Sequence, residues 1–168
     1  MFNDYRTRDV LIGFQAFFMI FLSLHFLFTG SKEALYFLLV LVVSSGIWKI
    51  LKQFAIRFFP TQSLRPVGAN DCHSFVGSGS ASQTGMPSGH ATGAALMAVY
   101  AINFVWNHSS VSNVFQKTVA TGVAMMLAML IIISRVKYNC HTRSQVSVGA
   151  LLGIALGLIG IECRRFVL

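Results

Sequence analysis

Apolar residues in this chain come in long blocks rather than in the alternation of a half-buried strand. Five blocks stand out: Val10–Phe28, Ala34–Leu51, His90–Trp106, Thr118–Ile133 and Val146–Ile161. Each approaches the roughly 20 residues that a helix needs to cross a bilayer. Backbone polar groups in lipid need partners within the segment, so the pattern predicts five helices. Small residues recur inside the blocks, as in "GALLGIALGLIG" at Gly149–Gly160, and they let helix backbones approach closely. The first block follows Arg6 and Arg8, which resembles the charged start of a signal peptide. Its apolar stretch is long and no small-x-small site follows, so an uncleaved anchor is predicted.

Polar residues mark the connections. "TGSKE" (Thr29–Glu33) and "NHSSVSNVFQK" (Asn107–Lys117) are short turns. The segment from Lys52 to Gly89 is long, holds Pro60, Pro66 and Pro87 with many Gly and Ser residues, and reads as an extramembrane loop with a short helix. Counting crossings from the N-terminus puts this loop, the start of the third helix at His90, and "SRVKYNCH" (Ser134–His141) on one membrane face. The other face keeps only short polar turns.

Composition supports this picture. The 168 residues are 55% hydrophobic and 11% charged, with mean hydropathy +0.67; soluble domains carry roughly 25% charged residues. One domain, 1–168, is expected at this length. The net charge is +8, yet the bases are scattered between apolar runs and form no stripe for nucleic acid. Anionic headgroups or a phosphorylated substrate fit better. Basic residues set no orientation: Arg6, Arg8, Arg57, Lys137 and Arg143 fall on the first face, against Lys32, Lys117, Arg164 and Arg165 on the other. Cys72, Cys140 and Cys163 form no dense disulfide framework. A Cys72–Cys140 bridge is conceivable if both face an oxidising compartment.

Three clusters meet on the first face: Lys52 with Arg65-Pro66, Ser88-Gly89-His90, and Ser134-Arg135 followed by His141. Two histidines and three fixed cations without matching carboxylates suggest an anion site. Arginine offers phosphate a planar fork and lysine a point charge. The start of a helix adds N–H donors and a favourable dipole, and Gly89 lets the backbone approach closely. Taken singly, each feature has a plainer reading. Ser88 caps a helix, and Lys52 and Arg135 snorkel at the membrane edge. Gln145 is a polar helix start, and Asp71 a turn former or a substitute carboxylate. His25 and His108 read as structural or solvated. Zinc at Cys72-His73 and Cys140-His141 is disfavoured by the missing ligand separation.

Together, in this order, the clusters resemble the signature of the type 2 phosphatidic acid phosphatase superfamily: a lysine and later Arg-Pro, then Pro-Ser-Gly-His (Pro87–His90), then Ser-Arg with five residues before a histidine (Ser134-Arg135 to His141). The resemblance spans roughly Lys52 to Gly149. It implies an all-α membrane bundle of about five spanning helices that acts as a lipid phosphatase without metal or cofactor, its site facing the periplasm or lumen. His141 would be the nucleophile, giving a phosphohistidine. His90 would protonate the leaving oxygen and then activate water. Lys52, Arg65, Ser88, Gly89 and Arg135 would hold the phosphate.

Two departures stand out. The usual lysine-to-Arg-Pro gap is six residues, but here that distance falls on Phe59-Pro60, with Arg65-Pro66 six residues later; Arg57 and Lys49 are nearby substitutes. The usual aspartate three residues after the nucleophile's neighbour is replaced by Gln145, whose carbonyl oxygen can accept an imidazole N–H without offsetting its charge. "HTRSQVSVGALLG" with "GMPSGH" is similar to the dolichyl-diphosphatase branch, which implies a polyprenyl diphosphate substrate. A phosphatidic acid or phosphatidylglycerol phosphate phosphatase, a lipid-phosphate-binding pseudoenzyme, and a small channel or scaffold are the alternatives.

Overall fold

The computed structural model describes Phe17, Ile20, Phe21, Leu24, His25, residues 28–69, Cys72, and residues 84–107 and 112–168. The first apolar block therefore lies largely outside the described residues, although Phe17, Ile20, Phe21, Leu24, His25, Phe28 and Thr29 are helical. Asp71, His73 and His108 also lie outside them.

Five helices follow: α1 (Lys32–Phe58), α2 (Pro60–Ser63), α3 (Gly89–Asn107), α4 (Val114–Lys137) and α5 (Arg143–Val167). No strand occurs among the described residues; Leu64 and Thr84 form one isolated bridge. α1, α4 and α5 begin ahead of their apolar blocks because polar caps, not hydropathy, set their starts. Ser31 accepts from the Ala34 N–H and Asn113 from the Phe115 N–H, each satisfying an orphan donor of the first turn. Thr142 and Gln145 form a reciprocal capping box at the start of α5. Pro60 cannot continue α1 and instead opens the single turn of α2. After α4 the chain reverses through Asn139 at φ 54°, a left-handed conformation that asparagine tolerates.

α3 is the central helix, packing most extensively on α5 and then on α4. Its residues Ala91–Met97 are buried without a break. The predicted small-residue packing is present: a Cβ at Gly153 of α5 would collide with the Thr92 carbonyl, and one at Gly157 would lie 3.0 Å from Val99. α1 closes the bundle through Phe37 and Leu41 against Leu96 and Met97.

α1, α4 and α5 are long and apolar enough to cross a membrane. α3, also expected to span, is rich in Gly, Ala, Thr and Asn and does not reach that hydropathy. Its first half, Ala91–Met97, is packed among the other helices, while Phe104 and Trp106 further along face outward. Outward-facing Val42, Val43, Met125, Met126, Leu151 and Leu158 present the apolar exterior of a membrane bundle. The helices alternate in direction. At one end, Tyr36 O–H donates to the Gly160 carbonyl (2.7 Å) and Trp106 Nε1 to Thr121 Oγ1 (3.0 Å). The chemically distinctive residues gather at the opposite end.

Candidate functional site

Three pieces of chain close that end. The first is the Pro87–His90 turn, held from three sides. The Gly85 N–H donates to the Ser63 carbonyl (2.6 Å) and the Ser88 N–H to the Gln145 carbonyl (3.2 Å). Trp48 Nε1 of α1 donates to the Pro87 carbonyl (2.9 Å). The indole lies so close that a Cβ on Gly89 would sit 2.6 Å from it, so position 89 requires glycine for space. The Ser88 carbonyl accepts from both the backbone N–H and the hydroxyl of Thr92, and Ser88 Oγ is buried without a hydrogen-bond partner among the described residues.

The second piece is the reversal after α4. Cys140 and His141 N–H groups both donate to the Arg135 carbonyl (3.0 and 3.1 Å), which folds the loop back over the helix end. Asn139 Nδ2 donates to the Val67 carbonyl (2.9 Å). The third piece is the segment after α2, where Arg65 Nη1 donates to the Cys140 carbonyl (2.9 Å) and lies 3.4 Å from His141 Nε2. A Cys72–Cys140 disulfide ties the long loop to the reversal, and Arg135 Nη2 donates to the Cys72 carbonyl (2.7 Å).

These pieces enclose a cavity of about 210 Å³ whose polar end is lined by Lys52, Arg65, Gly89, His90 and His141. It follows α1 from Lys52 inward past Ser45 and Ser44 to Leu41, a rise of roughly 16 Å at 1.5 Å per residue. A charged mouth at the helix ends thus continues into an apolar floor inside the bundle.

His141 is buried. Burial first, then the Arg65 and Arg135 guanidinium groups, push its pKa down to about 3, against a smaller opposing pull from the Gly85 backbone and the Gln145 side chain. The imidazole is therefore neutral across the physiological range. Arginine can only donate, so Nε2 faces Arg65 as an acceptor and the ring proton belongs on Nδ1.

The sequence profile described as the PAP2 superfamily matches residues 33–167. The chain belongs to the PAP2 superfamily. The crystal structure of a transmembrane PAP2-type phosphatidylglycerolphosphate phosphatase from Bacillus subtilis is similar, with a TM-score of 0.69 over 96% of this chain and 78% of that one at 22% identity. No curated protein matches significantly. PAP2 membership places the chain among membrane phosphatases with lipid substrates.

Of the PAP2 motif positions, Lys52, Arg65, Gly89, His90 and His141 line the one cavity. Lys52 lines it, whereas Lys49 and Arg57 do not. Ser88 and Arg135 are fully buried and do not line its surface. Gln145 makes its hydrogen bonds to backbone groups: Nε2 donates to the Gln62 and Leu64 carbonyls (2.9 and 2.7 Å) and Oε1 accepts from the Thr142 N–H (3.2 Å). Sequence reasoning missed Trp48. An aromatic residue near a helix end reads as an interfacial anchor, and nothing in the sequence marks a backbone carbonyl as its partner.

Proposed function

We propose that the protein is a metal-independent phosphatase of a lipid phosphate or diphosphate whose tail lies in the bundle. The observation that carries this reading is a cavity in which a neutral, buried His141 faces Arg65 and which His90 and Lys52 also line. The Nε2 lone pair of His141 attacks phosphorus. An N–P bond forms as the bond from phosphorus to the leaving oxygen breaks, and His90 gives that oxygen its proton. Water then attacks phosphorus, His90 takes one of its protons, and the N–P bond breaks to release phosphate and restore Nε2. Lys52, Arg65 and the Gly89 N–H stabilise charge on the phosphoryl oxygens. Arg135 contributes its charge from behind the His141 loop.

The inward run of the cavity along α1 supports a substrate with an apolar tail. The motif "HTRSQVSVGALLG" favours a polyprenyl diphosphate, and the Bacillus subtilis structure favours a glycerol-based phosphate such as phosphatidylglycerol phosphate. The Cys72–Cys140 disulfide favours a site facing an oxidising compartment, the periplasm or a lumen.

The test is a panel of polyprenyl diphosphates and glycerol-based lipid phosphates hydrolysed in detergent with EDTA present. The expected result is phosphate release by the wild type, and losses of about 10²–10⁴-fold in His90→Ala and still larger in His141→Ala. A silent wild type that still binds the lipid would favour a binding protein instead.

A further inference from the structure

Gln145 and the turn before Arg65 are 81 to 83 residues apart in sequence, yet they form one unit. The Gln145 side chain is completely buried. A capping role at α5 uses only its Oε1, on the Thr142 N–H. That role leaves its Nε2 unexplained, and both Nε2 bonds go to the Gln62 and Leu64 carbonyls, which flank Ser63 at the end of α2. Gly85 leaves the space that the amide fills: a Cβ there would collide with Gln145 Oε1. The same turn is held a second time where the Ser63 carbonyl accepts from the Gly85 N–H. The residue after Leu64 is Arg65, whose guanidinium reaches the Cys140 carbonyl and His141 Nε2.

We propose that Gln145 is a positioning residue for Arg65: its amide clamps the α2 turn so that the guanidinium is delivered to the nucleophile loop. The proposal rests on the phosphatase reading above and refines one site residue within it. It links two oddities of the sequence. The extra chain between Lys52 and Arg65 folds as α2, and α2 presents carbonyl oxygens where a carboxylate would be repelled. Glutamine supplies the donors that this turn requires. The expected alternative, that Gln145 serves chiefly to orient the His141 ring, makes the opposite prediction for a carboxylate at this position, since a carboxylate orients and supports an imidazole better than an amide.

The deciding experiment compares Gln145→Glu, Arg65→Ala and the double variant in the purified full chain. Readouts are kcat/KM on the best lipid phosphate and orthovanadate affinity, followed by tryptophan fluorescence from Trp48 in the cavity wall. Misplacing a substrate-positioning group costs about 100-fold. Gln145→Glu is therefore expected to lose about 100-fold in kcat/KM and to weaken vanadate binding, and to add no more than about 2-fold to the loss in Arg65→Ala, because coupled residues do not add. Gln145→Glu at or above wild-type activity, or losses that multiply in the double variant, would overturn the clamp. If the glutamate variant is not recovered folded, Gln145→Met goes through the same cycle, where multiplying losses overturn it equally. A wild type that hydrolyses no lipid phosphate, but loses vanadate affinity equally in both single variants, would sink the phosphatase reading and leave the clamp standing.

Discussion

The two ends of the bundle handle charge in opposite ways. At the far end Arg164 pairs with Glu33, and Arg165 with Glu162. At the site end the described residues carry Lys52, Arg65 and Arg135 but no carboxylate side chain. There, Arg65 and Arg135 are anchored on the backbone carbonyls of Cys140 and Cys72. A carbonyl fixes a guanidinium in direction without cancelling its charge. One end therefore spends its charges on holding helices together, and the other keeps a positive field for an anion.

The largest expected contrast comes from deleting one charge at each end. Arg65→Ala should lower kcat/KM by about 10²–10³-fold, the usual cost of one donor to a developing oxyanion, with little change in thermal stability. Glu33→Gln should leave kcat/KM unchanged and cost at most about 1 kcal/mol, because the pair is partly exposed. Comparable activity losses in the two variants would erase the distinction between the ends.

Acid sharpens the same contrast. His141 is neutral when folded, with its pKa near 3, and about 6.5 when the chain is unfolded. The unfolded chain thus binds an extra proton between those values, so stability falls as pH drops below about 6.5, by up to about 1.4 kcal/mol per pH unit. His141→Asn should flatten that slope in pH-dependent thermal melts; an unchanged slope would assign the acid sensitivity elsewhere. The smallest effect is expected from Trp48→Phe, which keeps a ring beside Gly89 and Lys52 and removes one hydrogen bond to Pro87. A loss of about 1 kcal/mol, read as a several-fold fall in kcat with KM nearly constant, would mark the indole as a support of the Pro87–His90 turn. An equal rise in KM alone would place it against the substrate tail.

Much of this was legible in the sequence for one reason: hydropathy blocks fix how often the chain crosses, and crossing parity fixes which motifs share a face. His90, His141, Lys52 and Arg65 converge as that parity predicts. Partners on the backbone were not legible. The sequence gives no sign that Gln145 reaches the Gln62 and Leu64 carbonyls, that Arg135 is turned towards Cys72, or that Trp48 holds Pro87, because every residue carries the same carbonyl. α3 shows a related limit of hydropathy. Hydropathy measures transfer to lipid, and Ala91–Met97 transfer into protein instead.

The covalent link between Cys72 and Cys140 bridges 68 residues of chain, a span that contains all of α3 and α4. It closes only where α3 and α4 run out and back, bringing both sulfurs to one end of the bundle. The bond therefore fastens the long loop to the reversal after α4, and the walls around His141 hold their places only while α3 and α4 stay paired.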